Sequence, residues 1–230
     1  MKIVAIIQAR TSSERLPGKV LLEIKEKPLL QYLIERVAQC KGISHIVLCT
    51  SVQPEDDGIE KLGADLGVEV FRGVLSPVAE RFRACLQKNP QWEAFFRICG
   101  DSPFLDQNLL EQAIEKYQEG YEIVTNILKR TYPKGQSIEL VSRALFMRHY
   151  DEIKQDEYFS EHVTAFFYQK LKEKIFNFEC EKNLGDSQLS VDYINDFNAA
   201  KKIIKNMNKP HWQYPFMEII RLKEKINGKN

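Results

Sequence analysis

Ile3-Val4-Ala5-Ile6-Ile7 is an unbroken apolar run, too short for a typical helix and lacking the polar alternation of a strand with one wet face. It fits a strand buried on both sides, and such a strand needs helices packed above and below it. The pattern then repeats. Leu29, Leu30, Leu33, Ile34 and Val37 recur at helical spacing behind Pro28, a residue suited to a helix's first turn. Ile46-Val47-Leu48-Cys49 reads as a second core strand, followed by a helix over about 55–66, a strand at 68–71 and a helix over about 78–86. The next strand is at 95–99. Leu109, Leu110, Ala113, Ile114 and Tyr117 mark another helix, and Ile123-Val124-Thr125 another strand. Repeated strand-then-helix order predicts an α/β fold: a Rossmann-like, mostly parallel sheet wrapped by helices.

The alternation stops near Arg130. Thr131-Tyr132-Pro133-Lys134-Gly135 carries turn residues, and 137–141 has the pattern of an extra strand. A helix over about 160–171, strands at 175–178 and 189–191, and a helix over about 195–207 complete the reading. We read residues 1–207 as one domain in which about 131–180 is an α+β insertion. Residues 208–230 form a tail whose lysine-rich helix is expected to present a solvated face.

Composition bounds the function. Lys+Arg of 33 against Asp+Glu of 32 leaves a net charge of +1, not the basic excess of a nucleic-acid binder. The apolar run after Met1-Lys2 ends at Gln8, too short for a signal peptide or a membrane span, so a cytoplasmic protein without a membrane partner is expected. The five cysteines are scattered and never spaced as CxxC, which favours small buried hydrophobes over metal ligands or disulfides.

Anion handling must then be local, and the loop directly after the first strand supplies it. Gln8-Ala9-Arg10-Thr11-Ser12-Ser13-Glu14-Arg15-Leu16-Pro17-Gly18-Lys19 gathers three cations, hydroxyl residues and a Pro-Gly turn where open α/β sheets bind ligands. Arg offers a planar fork to phosphate oxygens, Lys a compact point charge, and loop N–H groups add donors. The loop is neither a Walker A motif nor a GxGxxG fingerprint. Asp101 follows the 95–99 strand and Asp192 the 189–191 run. Carboxylates from two strand ends can share a divalent cation, although a lone Asp after a strand is more often a helix cap. Asp106 and Asp196 are assigned to capping.

The Gln-Ala-Arg and Ser-Glu-Arg-Leu-Pro-Gly-Lys segments closely resemble the signature of the cytidylyltransferases, which make CMP-sialic acid, CMP-Kdo and related activated sugars. The resemblance continues through Thr50-Ser51, Phe71-Arg72-Gly73, Gly100-Asp101-Ser102-Pro103, Glu161-His162-Val163-Thr164 and Val191-Asp192, to about residue 207. It favours the SpsF-like branch. It implies a nucleotidyltransferase fold of the GT-A-like kind, CTP and Mg²⁺ as ligands, and transfer of CMP to a small anionic sugar-like acceptor with release of pyrophosphate. On this basis Lys19, Arg10 and Asp101 are expected to be catalytic. Arg10, Ser13, Arg15, Lys19, Thr50, Ser51, Arg81 and Arg97 are expected around the nucleotide. Asp101 and Asp192 are expected to hold the metal. Tyr132, Gly135, Glu139 and His162 are expected on the acceptor side. Gln136-Ser137 departs from the branch, which carries a leucine–aspartate pair there, and this leaves the acceptor open. Lys129, Arg130, Lys134 and Arg143 crowd the same stretch and favour a strongly anionic acceptor.

Relatives pair through the inserted region. The aromatic load of that region (Phe146, Tyr150, Tyr158, Phe159, Phe166, Phe167 and Tyr168, with Met147) predicts a homodimer interface. Two other function classes would leave different marks in the sequence. A glycosyltransferase of similar build should carry Asp-x-Asp after a core strand, and Asp101-Ser102-Pro103 is not that motif. A non-catalytic nucleotide-sugar-binding relative should have lost a carboxylate or a loop cation, and all are present.

Overall fold

The computed structural model describes residues 1–171 and 175–228; residues 172–174 of the 131–180 segment and 229–230 of the tail lie outside the described residues. The chain order is β1 (Ile3–Gln8), β2 (Glu23–Ile24), β3 (Lys27–Pro28), α1 (Leu29–Val37), β4 (His45–Ser51), α2 (Asp57–Asp65), β5 (Glu69–Gly73), α3 (Val78–Lys88), β6 (Ala94–Cys99), α4 (Gln107–Gln118), β7 (Ile123–Thr125), β8 (Glu139–Ser142), α5 (Arg143–Ile153), α6 (Glu157–His162), α7 (Ala165–Lys170), β9 (Ile175–Asn177), α8 (Ile194–Lys205) and α9 (Phe216–Asn227). Seven strands form one sheet in the order β5-β4-β1-β6-β8-β7-β9, while β2 and β3 pair separately. The sheet is parallel except for β8, which runs antiparallel to both neighbours, β6 and β7.

Strand β1 shows why the sheet is covered twice. Ile3, Ala5 and Ile7 point into a core shared with α1, α2, α4, α8 and α9, whereas Val4 and Ile6 point into a second core shared with α3, α5, α6 and α7. The period-2 geometry of a strand thus turns an all-apolar run into two half-cores. Because β8 is reversed, its first residue, Glu139, sits at the sheet edge where the parallel strands end, in register with Thr125.

Three local expectations are corrected. The 189–191 run is not a strand: Leu189 and Ser190 both donate to the Lys134 carbonyl, at 2.8 and 3.1 Å, and only Gln188 bridges to Lys134. The helix expected over 160–171 is broken at Val163, which adopts φ 44° between α6 and α7. A β-branched residue rarely tolerates this conformation. Here Thr164 N donates to the His162 carbonyl at 2.5 Å, closing a γ-turn that redirects the chain. The aromatics assigned to a dimer interface mostly fill the chain's own second core: Phe146, Tyr150, Phe159, Phe166 and Phe167 are buried there, with Met147 and Tyr168 packed partly against them. Only Tyr158 of that set is exposed, at 53%.

The tail is part of the packing. Phe216, Ile219 and Ile220 of α9 join the first core. Arg36, fully buried on α1, donates to the carbonyls of Leu105, His211 and Tyr214 and so ties the tail to the sheet. His211 lies beside this knot, its Nε2 2.7 Å from Glu35, which also takes Lys27. Its Nδ1 is buried without a hydrogen-bond partner among the described residues, which suits a neutral ring and would orphan an N–H if the ring were charged. Burial pushes the His211 pKa from 6.5 down to about 4, against the pull of Glu35. The unfolded chain therefore takes up this proton first, and stability is lost as pH falls from 6.5 towards 4. The expected loss is roughly 3 kcal/mol. Melting curves between pH 7 and 4 should show it, with a shallower decline in His211→Gln; equal slopes in the two proteins would remove the assignment.

Candidate active site

Two cavities open side by side at the carboxyl ends of β1 and β6. The first, about 460 Å³, is lined by Gln8–Arg10, Ser12–Arg15, Lys19, Arg97, Cys99, Asp101, Glu161 and His162, among others. The second, about 330 Å³, includes Ser102, Arg130, Lys134, Gly135, Ser137, Glu139, Ser190 and Asp192, and shares Arg97, Cys99 and Asp101 with the first.

The β1 loop is shaped from both ends. Gly18, at φ 69°, supplies the left-handed turn that starts the short 3₁₀ segment bearing Lys19. Asp56 accepts from Thr11 N at 2.7 Å and Thr11 Oγ1 at 2.8 Å, and its other oxygen accepts from Ser51. Burial opposes the charge on Asp56, but these bonds outweigh it and hold the carboxyl below its ordinary range. Ser51, fully buried at the end of β4, thus braces the loop from behind, and neither it nor its buried neighbour Thr50 lines the cavity.

Lys19, only 7% exposed, is the hub. Its ammonium donates to Asp101 Oδ2 at 2.6 Å, to the Val191 carbonyl at 2.8 Å and to Asp192 Oδ1 at 3.3 Å. Asp192 Oδ1 also takes Arg15 at 2.6 Å, and Arg15 lies over the Tyr193 ring at 5.2 Å. Arg10 faces Glu161 at 3.4 Å. The 189–192 segment reaches this hub because Gly135, at φ 92°, lets two backbones touch: a Cβ there would lie 2.5 Å from Ser190 N.

A buried ion pair separates the cavities. Arg97 Nη1 meets Glu139 Oε1 at 2.8 Å, and Arg97 Nε donates to Gln8 Oε1 at 3.1 Å. Glu139, 3% exposed, also accepts from Thr164 and Tyr168. Burial works against the Arg97 charge, and Glu139 more than restores it. Tyr168 is pushed well above its ordinary value by burial and by Glu139. Cys99, on the same wall, is raised by burial to about 11 and stays a thiol.

The expected site residues therefore separate by location. Arg10, Ser13, Arg15, Lys19, Arg97 and Asp101 are gathered at the first cavity or its wall, or both, and Asp192 joins Asp101 through Lys19. Gly135 and Glu139 line the second cavity, but His162 lines the first. Arg81 lines neither. It is 1% exposed and donates to the carbonyls of Val74 and Leu75. Tyr132 is buried against Phe178 and Phe216. Asp106 caps α4 and Asp196 belongs to the capping box of α8, as expected. Of the crowded cations, Lys129 pairs with Glu179 and Arg143 turns to the Leu86 carbonyl, whereas Arg130 and Lys134 reach the second cavity. Gln136 is fully buried and ties Asp106 N to the Phe104 carbonyl, so of the departing pair only Ser137 meets the cavity. Asp56 and Ser190 carry no local sequence mark of a role here, and Ser102 lies in a family-like motif without being expected at the site.

A mostly parallel α/β sheet, with a cationic loop after its first strand and two carboxylates converging at the strand ends, defines a nucleotidyltransferase. The cytidylyltransferase family model matches residues 4–225. Over 168 residues the chain is 33% identical to the spore coat polysaccharide biosynthesis protein SpsF of Bacillus subtilis, covering 71% of this chain and 69% of that protein. A cytidylyltransferase structure from Leptospira borgpetersenii superposes with a TM-score of 0.91 at 27% identity, covering 99% and 96% of the two chains. A CMP-2-keto-3-deoxy-manno-octonic acid synthetase complexed with CTP has the same fold, with a TM-score of 0.69 at 16% identity over 89% of this chain and 99% of that one. The chain belongs to the cytidylyltransferase family and is a CTP-dependent nucleotidyltransferase. Among the described residues no helix is long and apolar enough to cross a membrane.

Members of this family typically use a divalent metal. The donor set fits one. Asp101 and Asp192 already converge on a single ammonium, and hard oxygen ligands from one or two carboxylates are the usual protein share of a site completed by phosphate and water. Among the described residues no group of three or more acidic, His or Cys side chains gathers for a metal.

Proposed function

We propose that this protein transfers CMP from CTP, with Mg²⁺, to an acidic or phosphorylated sugar-like acceptor, releasing pyrophosphate and supplying an activated sugar for a cell-surface glycan. The observation that carries this reading is the Lys19–Asp101–Asp192 cluster, which stands where a cavity rich in loop cations meets a cavity holding Arg130 and Lys134. The acceptor oxygen attacks the α-phosphorus in line with the departing pyrophosphate, so positioning and charge neutralisation dominate the catalysis. Arg10, Arg15 and Lys19 bind the triphosphate and stabilise charge on the leaving group. Asp101 and Asp192 would hold Mg²⁺, which would supply neutralisation of phosphate charge. Glu139 has both oxygens engaged and serves as a fixed wall, not a free base.

The anionic acceptor is supported by Arg130. Its guanidinium touches Ser137 Oγ at 3.2 and 3.3 Å and, among the described residues, has no carboxylate within ion-pair distance. Burial pulls it below its ordinary value, opposed by Glu139, so an anion from the acceptor would restore its charge balance. Pyrophosphate release from CTP is the test, across sugar acids, sugar or polyol phosphates and neutral sugars. Turnover is expected only with the anionic acceptors. Arg130→Met should raise the acceptor KM roughly 10–100-fold, the worth of one charge-assisted contact, and leave the CTP KM nearly unchanged. Equal use of neutral sugars, or an unaffected Arg130→Met, would overturn the acceptor assignment.

A further inference from the structure

The lysines of α9 were expected in solvent, yet Lys223 turns inward. It is half-buried, burial lowers its pKa against the pull of Asp196, and its ammonium donates to the Gln188 carbonyl at 2.7 Å. Gln188 in turn spends its side-chain amide on the segment that ends in Asp192. Nε2 lies 3.0 Å from the Ser190 carbonyl, 2.9 Å from Ser190 Oγ and 3.2 Å from Asp192 Oδ2. An amide nitrogen has two hydrogens, so it can serve Ser190 and Asp192 together; a carboxylate or an alkyl chain in its place can do neither.

The two oxygens of Asp192 are thereby given different duties. Oδ2 is held by Gln188, while Oδ1 faces Lys19 and Arg15. The backbone beneath is held separately, since Asp196 Oδ2 accepts from Asp192 N at 3.0 Å and Tyr193 N at 2.9 Å. With the main chain pinned by Asp196 and Oδ1 turned to Arg15 and Lys19, the Oδ2 side of the Asp192 carboxylate is held by Gln188. Carboxylates that bind metals gain much of their affinity from neighbours that fix them in this manner.

We infer that Gln188 is a positioning residue for the Asp192 carboxylate and that Lys223, from the C-terminal helix, fixes Gln188 in turn. The inference rests on the proposed metal role of Asp192. It makes α9 a support for the site, at one remove from the reacting atoms.

Binding of Mn²⁺ in the presence of CTP, followed by the loss of the free-ion electron paramagnetic signal, tests it on the full chain. Gln188→Leu keeps the bulk but removes the donor, and should weaken Mn²⁺ binding about 10–100-fold, with the CTP KM at saturating metal changed less than about twofold. Lys223→Met should act in the same direction by about 3–10-fold, and Lys223→Arg, which retains a donor, should restore most of the affinity. Should Gln188→Leu fail to fold, the Lys223 pair decides. Unchanged Mn²⁺ affinity in Gln188→Leu, or in Lys223→Met where that decides, would overturn the positioning role. Asp192→Asn in the same titration separates the two readings. If it abolishes binding while Gln188→Leu does not, the positioning inference alone fails; if it too binds normally, the metal assignment fails with it.

Discussion

Asp101→Asn and Asp192→Asn are each expected to lower turnover by roughly 10²–10³-fold while leaving the melting temperature nearly unchanged. The reason for the second half lies in Lys19. Each single substitution leaves the buried ammonium one carboxylate and the Val191 carbonyl, so no charge is stranded. The double variant is different, because it leaves Lys19 no anionic partner from this pair, and its stability should fall by more than the sum of the singles. Initial rates at saturating CTP and acceptor, with thermal melts of the same samples, check both halves. Normal turnover with a large drop in melting temperature would return both residues to structural roles.

The wall between the cavities should be the most sensitive place in the molecule for stability. Glu139→Met removes the carboxylate that Arg97 meets at 2.8 Å and strands a charge whose side chain is 12% exposed. The cost is expected to be about 3–5 kcal/mol, or roughly 6–20 °C in melting temperature for a chain of this size. Arg97→Met combined with Glu139→Met should recover most of that loss, because an apolar pair of similar volume has no buried charge to satisfy. If the double variant melts no higher than Glu139→Met, the pair is not the source of the effect.

The parts legible in the sequence are those set by local pattern. The first strand announces itself by apolarity, and the cationic loop and Asp101 follow from their places after strand ends. What the sequence hides is the direction in which a side chain turns once the layers close. Arg81 and Lys223 both look like solvent-facing helical cations, yet one turns to the carbonyls of Val74 and Leu75 and the other to that of Gln188. Thr50 and Ser51 lie in a family-like motif but one layer behind the cavity, where Ser51 reaches it through Asp56. The break at Val163 has no compositional mark, since neither Gly nor Pro is present. It exists because His162 must face the first cavity while Thr164, two residues on, must reach Glu139. The aromatic residues look surplus in sequence because a second core on the far face of the sheet, with its own appetite for large side chains, cannot be counted from one segment.

The reversed strand β8 has a consequence for how such enzymes diversify. The chain leaves the sheet at Thr125 and re-enters it at Glu139, two residues paired across the same rung. Everything between them is an overhang that contributes Ile127, Arg130, Lys134, Gly135 and Ser137 to the second cavity, while the first cavity draws nothing from it. Its residues differ in freedom, since Lys134, Gly135 and Gln136 also hold the 189–192 segment and the turn before α4, whereas Ile127, Arg130 and Ser137 face the cavity. On the function proposed above, one acceptor is exchanged for another through positions such as Arg130 and Ser137, while Lys134 and Gly135 go on holding the segment that carries Asp192.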